Sequence, residues 1–378
     1  MNTSHTTHPT SDSPLHSRDR ADQCPGVLAL HQANDGAIGR LRFPGGHISG
    51  ENLAHLGQLA KDHGDGYVHV TMRGNVQIRG IHNPDAFQKA VTELGLLPHP
   101  THDKIRNIIA SPYTPRELIT QLDEALCAVP EIGTLSGRTL FGIDDGQGDI
   151  LAEKPDFSIH KDALYLAGEF AGRSSKNPVE LIVEAAKLWA EHRGKFWRVH
   201  EHPEFLPLVQ EKLALDTTNP PVLPAPENIE RYIGWFDIDG HVDLGAGLPF
   251  GILPAETLGV IGKDISLSPW RTILIHNLDE SEAEAVVRFT ASRGLVYDAH
   301  SPWLDITACT GTPGCAKSLS DVRRDARALI DQRLTGEPVP EKDRRVHFVG
   351  CARRCGRPNG HYLEYLATGE GEYETIYR

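Results

Sequence analysis

The sequence predicts an α+β protein built by internal duplication, closed by a cysteine-bearing domain. Pro44-Gly-Gly-His-Ile-Ser-Gly-Glu-Asn-Leu53 matches Pro249-Phe-Gly-Ile-Leu-Pro-Ala-Glu-Thr-Leu258, with Pro, Gly, Glu and Leu at the same spacing and an Asp-Gly turn before each copy. Each copy continues as alternating strand and helix patterns, so two half-domains can pair about a pseudo-twofold axis. Four of the 6 cysteines lie between Cys309 and Cys355. At 378 residues the chain has room for several cores, and its 39% hydrophobic content is ordinary for a globular protein.

In order, residues 1–25 carry Ser, Thr, Asp, Pro and three histidines without an apolar run, and are expected to be a disordered tail. A first half-domain follows over 26–98. Its opening strand ends at the Pro44-Gly-Gly turn, and Ser49 is placed to cap a helix with Leu53, Leu56 and Leu59 on one face. Tyr67 to Gly80 alternates as one strand, with Val68, Val70, Met72, Val76 and Ile78 toward the core. Arg73, Gln77 and Arg79 then share the opposite face, subject to a bulge at Gly74 or Asn75. A helix over Pro84–Leu94 closes the unit.

An α+β domain is expected over 99–215. It has a helix from Pro115 to Cys127, strands over Ile150–Ile159 and Tyr165–Ala167, a turn at Gly168–Arg173, and a helix capped by Asn177. Four prolines mark 216–227 as a linker. The second half-domain, 228–300, repeats the first, with a strand at Ser268–His276 and a helix over Ser281–Arg293; Arg271 falls near the place of Arg73. Residues 301–378 form the last domain.

The net charge of −13 argues against nucleic-acid binding, which calls for a basic surface. No apolar run reaches the roughly eighteen residues of a membrane span. With no secretory signal pattern, the expected location is the cytoplasm, where thiols stay reduced. The pairs Cys309-Thr-Gly-Thr-Pro-Gly-Cys315 and Cys351-Ala-Arg-Arg-Cys355 suit a soft metal centre. Structural zinc usually takes closer pairs, so an iron–sulfur cluster fits the spacing better, with zinc and disulfides as the alternatives.

This Cys-x5-Cys and Cys-x3-Cys arrangement resembles the cluster motif of the siroheme-dependent sulfite and nitrite reductase superfamily, which includes oxygen-using enzymes acting on corrin precursors. Thr71-Met-Arg73-Gly-Asn-Val-Gln77-Ile-Arg79-Gly is similar to that superfamily's ferredoxin-like half-domain, and Arg106-Asn107 to the segment opening its larger domain. The resemblance implies a duplicated fold of two ferredoxin-like half-domains plus two α+β catalytic domains. It also implies a 4Fe-4S cluster on Cys309, Cys315, Cys351 and Cys355. Arg42, Arg73, Gln77, Arg79, Arg106, Asn107 and Arg138 are expected at a bound tetrapyrrole, with Lys317, Arg353 and Arg271 as further candidates for the lining. Where the reductases carry a Lys-x-Lys strand for their oxyanion, this chain reads Leu135-Ser-Gly-Arg138-Thr. That departure favours oxygen-dependent chemistry on precorrin-3A over a siroheme reductase. An external electron donor or NAD(P)H-dependent reductase would then be needed.

Two near-motifs are set aside. Gly245-Ala-Gly247 with Gly251 imitates a dinucleotide loop but belongs to the repeat. His99-Pro-Thr-His102-Asp103 offers two imidazoles and a carboxylate to a mononuclear non-haem iron, although a two-histidine loop is commonly plain surface.

Overall fold

A computed structural model describes residues 22–223, 232–339 and 344–378. The first half-domain contains β1 (His31–Ala33), β2 (Gly36–Leu41), β3 (His47–Ile48), α1 (Gly50–His63), β4 (Tyr67–Val70), β5 (Val76–Ile81) and α2 (Pro84–Glu93). The Ser49 hydroxyl accepts the Asn52 N–H at 3.2 Å and starts α1, whose Leu53, Leu56 and Leu59 are buried. The first catalytic unit has β6 (Ile108–Ala110), α3 (Arg116–Cys127), β7 (Phe141–Asp144), α4 (Asp149–Ala152), β8 (Phe157–His160), β9 (Ala163–Leu166), β10 (Glu169–Arg173), α5 (Pro178–His192) and α6 (Phe205–Lys212).

The second half-domain contributes β11 (Gly234–Ile238), β12 (His241–Gly247), β13 (Ile252–Pro254), α7 (Ala255–Ile261), β14 (Ile265–Leu267), β15 (Thr272–Leu278) and α8 (Glu280–Ala291). The last unit has α9 (Pro302–Asp305), β16 (Ile306–Ala308), α10 (Val322–Thr335), β17 (Val346–Val349), β18 (Leu363–Gly369) and β19 (Glu372–Tyr377).

The duplication is visible in the sheets. One runs β1-β2-β5-β4-β13 and its mate β11-β12-β15-β14-β3, so each half lends the strand after its Pro-x-Gly turn to the other half's sheet. Gly46 shows why that turn needs glycine. It sits at φ +73, and a Cβ there would lie 1.9 Å from the Leu267 carbonyl of the opposite half. The two halves share one core, in which Leu56, Ile78, Leu258 and Ile275 are all buried. The two catalytic units carry β10-β9-β8-β7-β6 and β16-β17-β18-β19, each over its own core. No helix among the described residues is long and apolar enough to cross a membrane.

Several local expectations are corrected. Tyr67–Gly80 is a hairpin, with β4 and β5 joined by a tight turn at Thr71–Asn75. The second copy turns the same way: the Thr71 N–H donates to Asn75 O, as the Ser268 N–H does to Thr272 O. The Thr71 and Ser268 hydroxyls each accept two N–H groups within their own turn. Arg271 therefore corresponds to Gly74, one position beyond Arg73, and both have positive φ (61° and 63°).

In the first catalytic unit, Asp149–Ala152 is helical because the Asp144 carboxylate accepts the N–H groups of Ile150 and Leu151. Glu169–Arg173 is a strand, and the turn lies at Ala167–Gly168. Cys127 ends α3 half-buried. The tail expectation falls outside the described residues up to residue 21. Beyond that the chain is tied down, for Asp22 accepts from Ser136 Oγ and Gly137 N. Of the expected linker, 224–227 lie outside the described residues.

Candidate functional site

Strands β16 and β17 are parallel neighbours, with Ala308 opposite Phe348, and each delivers a cysteine pair from its C-terminal end. Cys309 follows β16, and its N–H donates to Phe348 O at 3.0 Å. Gly350 follows β17, and its N–H donates to Cys309 Sγ at 3.3 Å. A Cβ at Gly350 would lie 1.8 Å from Ser318 Oγ, so the two cysteine loops pack without a side chain between them. Burial raises the thiol pKa of Cys309 and Cys355, and backbone N–H groups of Gly350 and Gly311 oppose the rise at Cys309.

Cys309, Cys315, Cys351 and Cys355 all line one cavity of about 440 Å³. The donor set and its spacing fit a 4Fe-4S cluster. Thiolates on one tetrahedral zinc would lie about 3.8 Å apart. Among the described residues, the groups of three or more potential ligands with atoms within 4.8 Å of one another are His99–Asp123–Cys127 and Asp144–Asp145–Asp149; neither contains these cysteines. Four thiolates around a larger open space suit a cluster better than one ion.

A second cavity, of about 510 Å³, adjoins the first, and Arg79, Cys309 and Cys355 line both. Its described lining holds Arg40, Arg73, Arg79, Arg138, Arg271 and Arg323, and no aspartate, glutamate or lysine. The guanidiniums are held in different ways. Arg79 forks onto Asp35, with Nη2 to Oδ2 at 2.8 Å. Gln77, with its amide oxygen turned toward Arg40, accepts from Arg40 Nε (3.1 Å) and Nη2 (2.7 Å). Arg73 Nη1 donates to Gly137 O at 3.3 Å, and Arg138 lies 5.0 Å from the Trp197 ring centroid. The Nε atoms of Arg271 and Arg323 are sealed from solvent without a hydrogen-bond partner.

Burial together with neighbouring guanidiniums lowers the pKa of Arg73, Arg271 and Arg323 to about 10 each. All three stay cationic at neutral pH. His69 lies in the same lining, and its Nε2 pairs with Asp65 Oδ2 at 2.8 Å. Burial lowers its pKa, against the opposing pull of Asp65.

Of the residues expected at the ligand, Arg73, Gln77, Arg79 and Arg138 are brought together in this lining. Arg42, Arg106 and Asn107 are not among the lining residues. Asn107 is fully buried and knits the fold, donating to the carbonyls of Lys104, Gly137 and Thr139 and accepting from Arg42 Nε and Asn75 Nδ2. Arg106 forks onto Asp123 of α3, with Nη2 to Oδ2 at 2.6 Å. Lys317 and Arg353 line the cysteine cavity.

The His99–Asp103 loop does not offer the iron site considered for it. Both ring nitrogens of His102 are engaged, by Thr101 Oγ1 and Val129 O, and Asp103 accepts the N–H groups of Val27 and Leu28. Arg40 and Arg323 went unnoticed in the sequence. Arg40 lies across from Gln77, a pairing that shows only once Tyr67–Gly80 folds as a hairpin; Arg323, in the first turn of α10, has no periodic signal.

Comparison with known proteins agrees with this geometry. Residues 31–88 match the nitrite/sulfite reductase ferredoxin-like half domain. The chain aligns with the Mycobacterium tuberculosis NirA protein structure at a TM-score of 0.68 over 90% of this chain and 73% of that one, with 17% identity. The duplicated sheets and the matched half domain show the nitrite/sulfite reductase fold. The chain resembles precorrin-3B synthase from Sinorhizobium sp, at 23% identity covering 96% of this chain and 84% of that protein. It is also 22% identical to chloroplastic ferredoxin–nitrite reductase of Spinacia oleracea, covering 92% of this chain and 69% of that one.

Proposed function

We propose that this protein is an oxidoreductase acting as a precorrin-3B synthase. It would bind precorrin-3A in the arginine cavity and hydroxylate it with molecular oxygen at a ring meso carbon, with lactone formation, in aerobic cobalamin synthesis. The observation that carries this reading is the lining, with six guanidiniums and no carboxylate beside the cysteine cavity. A guanidinium forks onto a carboxylate through two N–H groups, so such a lining suits a macrocycle bearing many carboxylates.

Cys309, Cys315, Cys351 and Cys355 would hold the 4Fe-4S cluster, which when bound supplies single electrons drawn from an external donor or reductase. Monooxygenation places one oxygen atom in the substrate and releases the other as water, at the expense of two electrons and two protons. The chain's own residues orient the ring and handle protons. The six arginines of the lining hold the ring's carboxylates, while Val70, Met72 and Phe250 supply apolar surface that keeps water off the ring. With Nε2 donating to Asp65, neutral His69 keeps its Nδ1 lone pair free to take a proton.

A siroheme-dependent sulfite or nitrite reductase is the second reading, favoured by Cys355 lining both cavities, where it could join a cluster to a siroheme iron. Six-electron reduction of a small oxyanion calls for several proton donors around it, and the described lining holds no lysine. A non-catalytic electron carrier would have no use for the arginine cavity. The test is purification without oxygen, a visible spectrum, and assays of iron, acid-labile sulfide and extractable tetrapyrrole. Siroheme at one per chain overturns the synthase reading; oxygen-dependent conversion of precorrin-3A supports it.

A further inference from the structure

Arg271 occupies a backbone position built for glycine. Its counterpart in the first copy is Gly74, and the two have matching positive φ values of 61° and 63°. A side chain there costs on the order of 1 kcal/mol of backbone strain. Glycine would fit at no cost, so the arginine is held against a local preference. Two glycines make room for it: a Cβ on Gly251 would lie 3.2 Å from Arg271 Cδ, and one on Gly356 would lie 3.2 Å from Arg271 Nη2. The stem is thus threaded past the turn of the second repeat, and the guanidinium is set beside the loop that follows Cys355.

Arg323 comes to the lining of the same cavity from α10, and its charge disfavours that of Arg271. Both leave a buried Nε without an acceptor. Elsewhere in the lining, Arg79 is neutralised by Asp35 and Arg40 is engaged by Gln77. Two like charges brought together from separate domains, each with a buried unsatisfied donor, form a site short of one anion.

We propose that Arg271 and Arg323 form a two-guanidinium clamp for a single carboxylate of the bound macrocycle, on the cluster side of the cavity, and that this clamp fixes which edge of the ring faces the cysteines. The inference rests on the tetrapyrrole reading above. The chemistry recognised is a planar oxyanion, whose source is either a macrocycle side chain or a small free ion such as nitrite. The wall position beside Cys355, in a cavity of about 510 Å³ lined by four further arginines, favours the macrocycle.

The test uses the full-length, cluster-reconstituted protein and two probes, uroporphyrin followed by fluorescence quenching and nitrite followed by calorimetry. The variants are Arg271→Gly, Arg323→Gln and the double variant. Arg271→Gly removes the side chain while relieving the strain, so its melting temperature is expected to hold or rise, which separates lost binding from lost folding.

Each single variant is expected to weaken uroporphyrin about 10- to 100-fold, with a double variant little worse than the weaker single, because both groups grip the same carboxylate. Nitrite should show no saturable binding. Unchanged uroporphyrin affinity in the single variants, or losses that multiply in the double, overturns the clamp and leaves the tetrapyrrole reading standing. Saturable nitrite binding that the variants abolish, with no uroporphyrin binding by the parent protein, overturns both.

Discussion

Asn107 gives the sharpest test of how the site is built, because its family resemblance and its structure assign it different work. By resemblance it belongs at the ligand; in the structure it is the hub that joins the first catalytic unit to the first half-domain. Asn107→Ala removes hydrogen bonds from Nδ2 to three carbonyls, Lys104 O (2.9 Å), Gly137 O (3.0 Å) and Thr139 O (3.2 Å). It also removes the acceptor for Asn75 Nδ2 (2.8 Å) and Arg42 Nε (3.1 Å). Neutral bonds are worth about 1 kcal/mol each and one to a charged group about 1.5–3 kcal/mol. Arg42 is already under strain from burial, which lowers its pKa to about 9. The loss is therefore expected at about 5–7 kcal/mol, or roughly 6–9 °C in the thermal midpoint of a chain of 378 residues.

The damage should also reach the cavity, because Gly137 O is shared by Asn107 and Arg73. The assay pairs a thermal melt with uroporphyrin binding measured well below the midpoint. A variant within about 1 kcal/mol of the parent that has lost its affinity would refute the hub and return Asn107 to the ligand.

Three further outcomes follow from the same geometry. Gly46→Ala should destabilise by more than about 3 kcal/mol, whereas Gly66→Ala, at φ +82 with nothing within 4 Å of its Cβ, should lose only about 1 kcal/mol, so denaturation of the pair separates the collision with Leu267 O from the cost of the φ angle. His47 accepts or donates at Ser266 Oγ, and burial, then Arg116 and His276, lower its pKa from 6.5 to about 4. The unfolded chain therefore gains a proton below pH 6.5 that the folded chain refuses until about pH 4, so stability falls as pH drops through that window. Urea titrations from pH 6.5 to 5 should show the parent losing about 2 kcal/mol more than His47→Gln, and parallel curves would contradict the shift. Serine at Cys309, Cys315, Cys351 or Cys355 should strip iron and acid-labile sulfide, while Cys24→Ser and Cys127→Ser retain them by elemental assay.

The sequence made the duplication and the cysteine centre legible because both are local spacings that need no knowledge of packing. The hairpins were hidden for a geometric reason. Val70 and Val76 face each other across the turn at an even offset of six positions, so the alternation of buried positions passes through the turn unbroken and imitates one strand. That concealment moved Arg271 one place out of register with its counterpart and hid the pairing of Arg40 with Gln77. The arginines near the resembling motifs divided by something no local pattern records, the presence of a partner. Arg106 found Asp123 on α3, Arg42 found Asn107, and Arg79 found Asp35 yet still reached the cavity. A strongly acidic chain gives most arginines such a partner. Among the described lining residues, the two whose buried Nε atoms lack one, Arg271 and Arg323, come from different units and line one cavity only when the second half-domain and the cysteine unit are assembled. Charge left uncompensated by the fold thus sets Arg271 and Arg323 apart from the paired arginines around them, and it exists only in the tertiary structure.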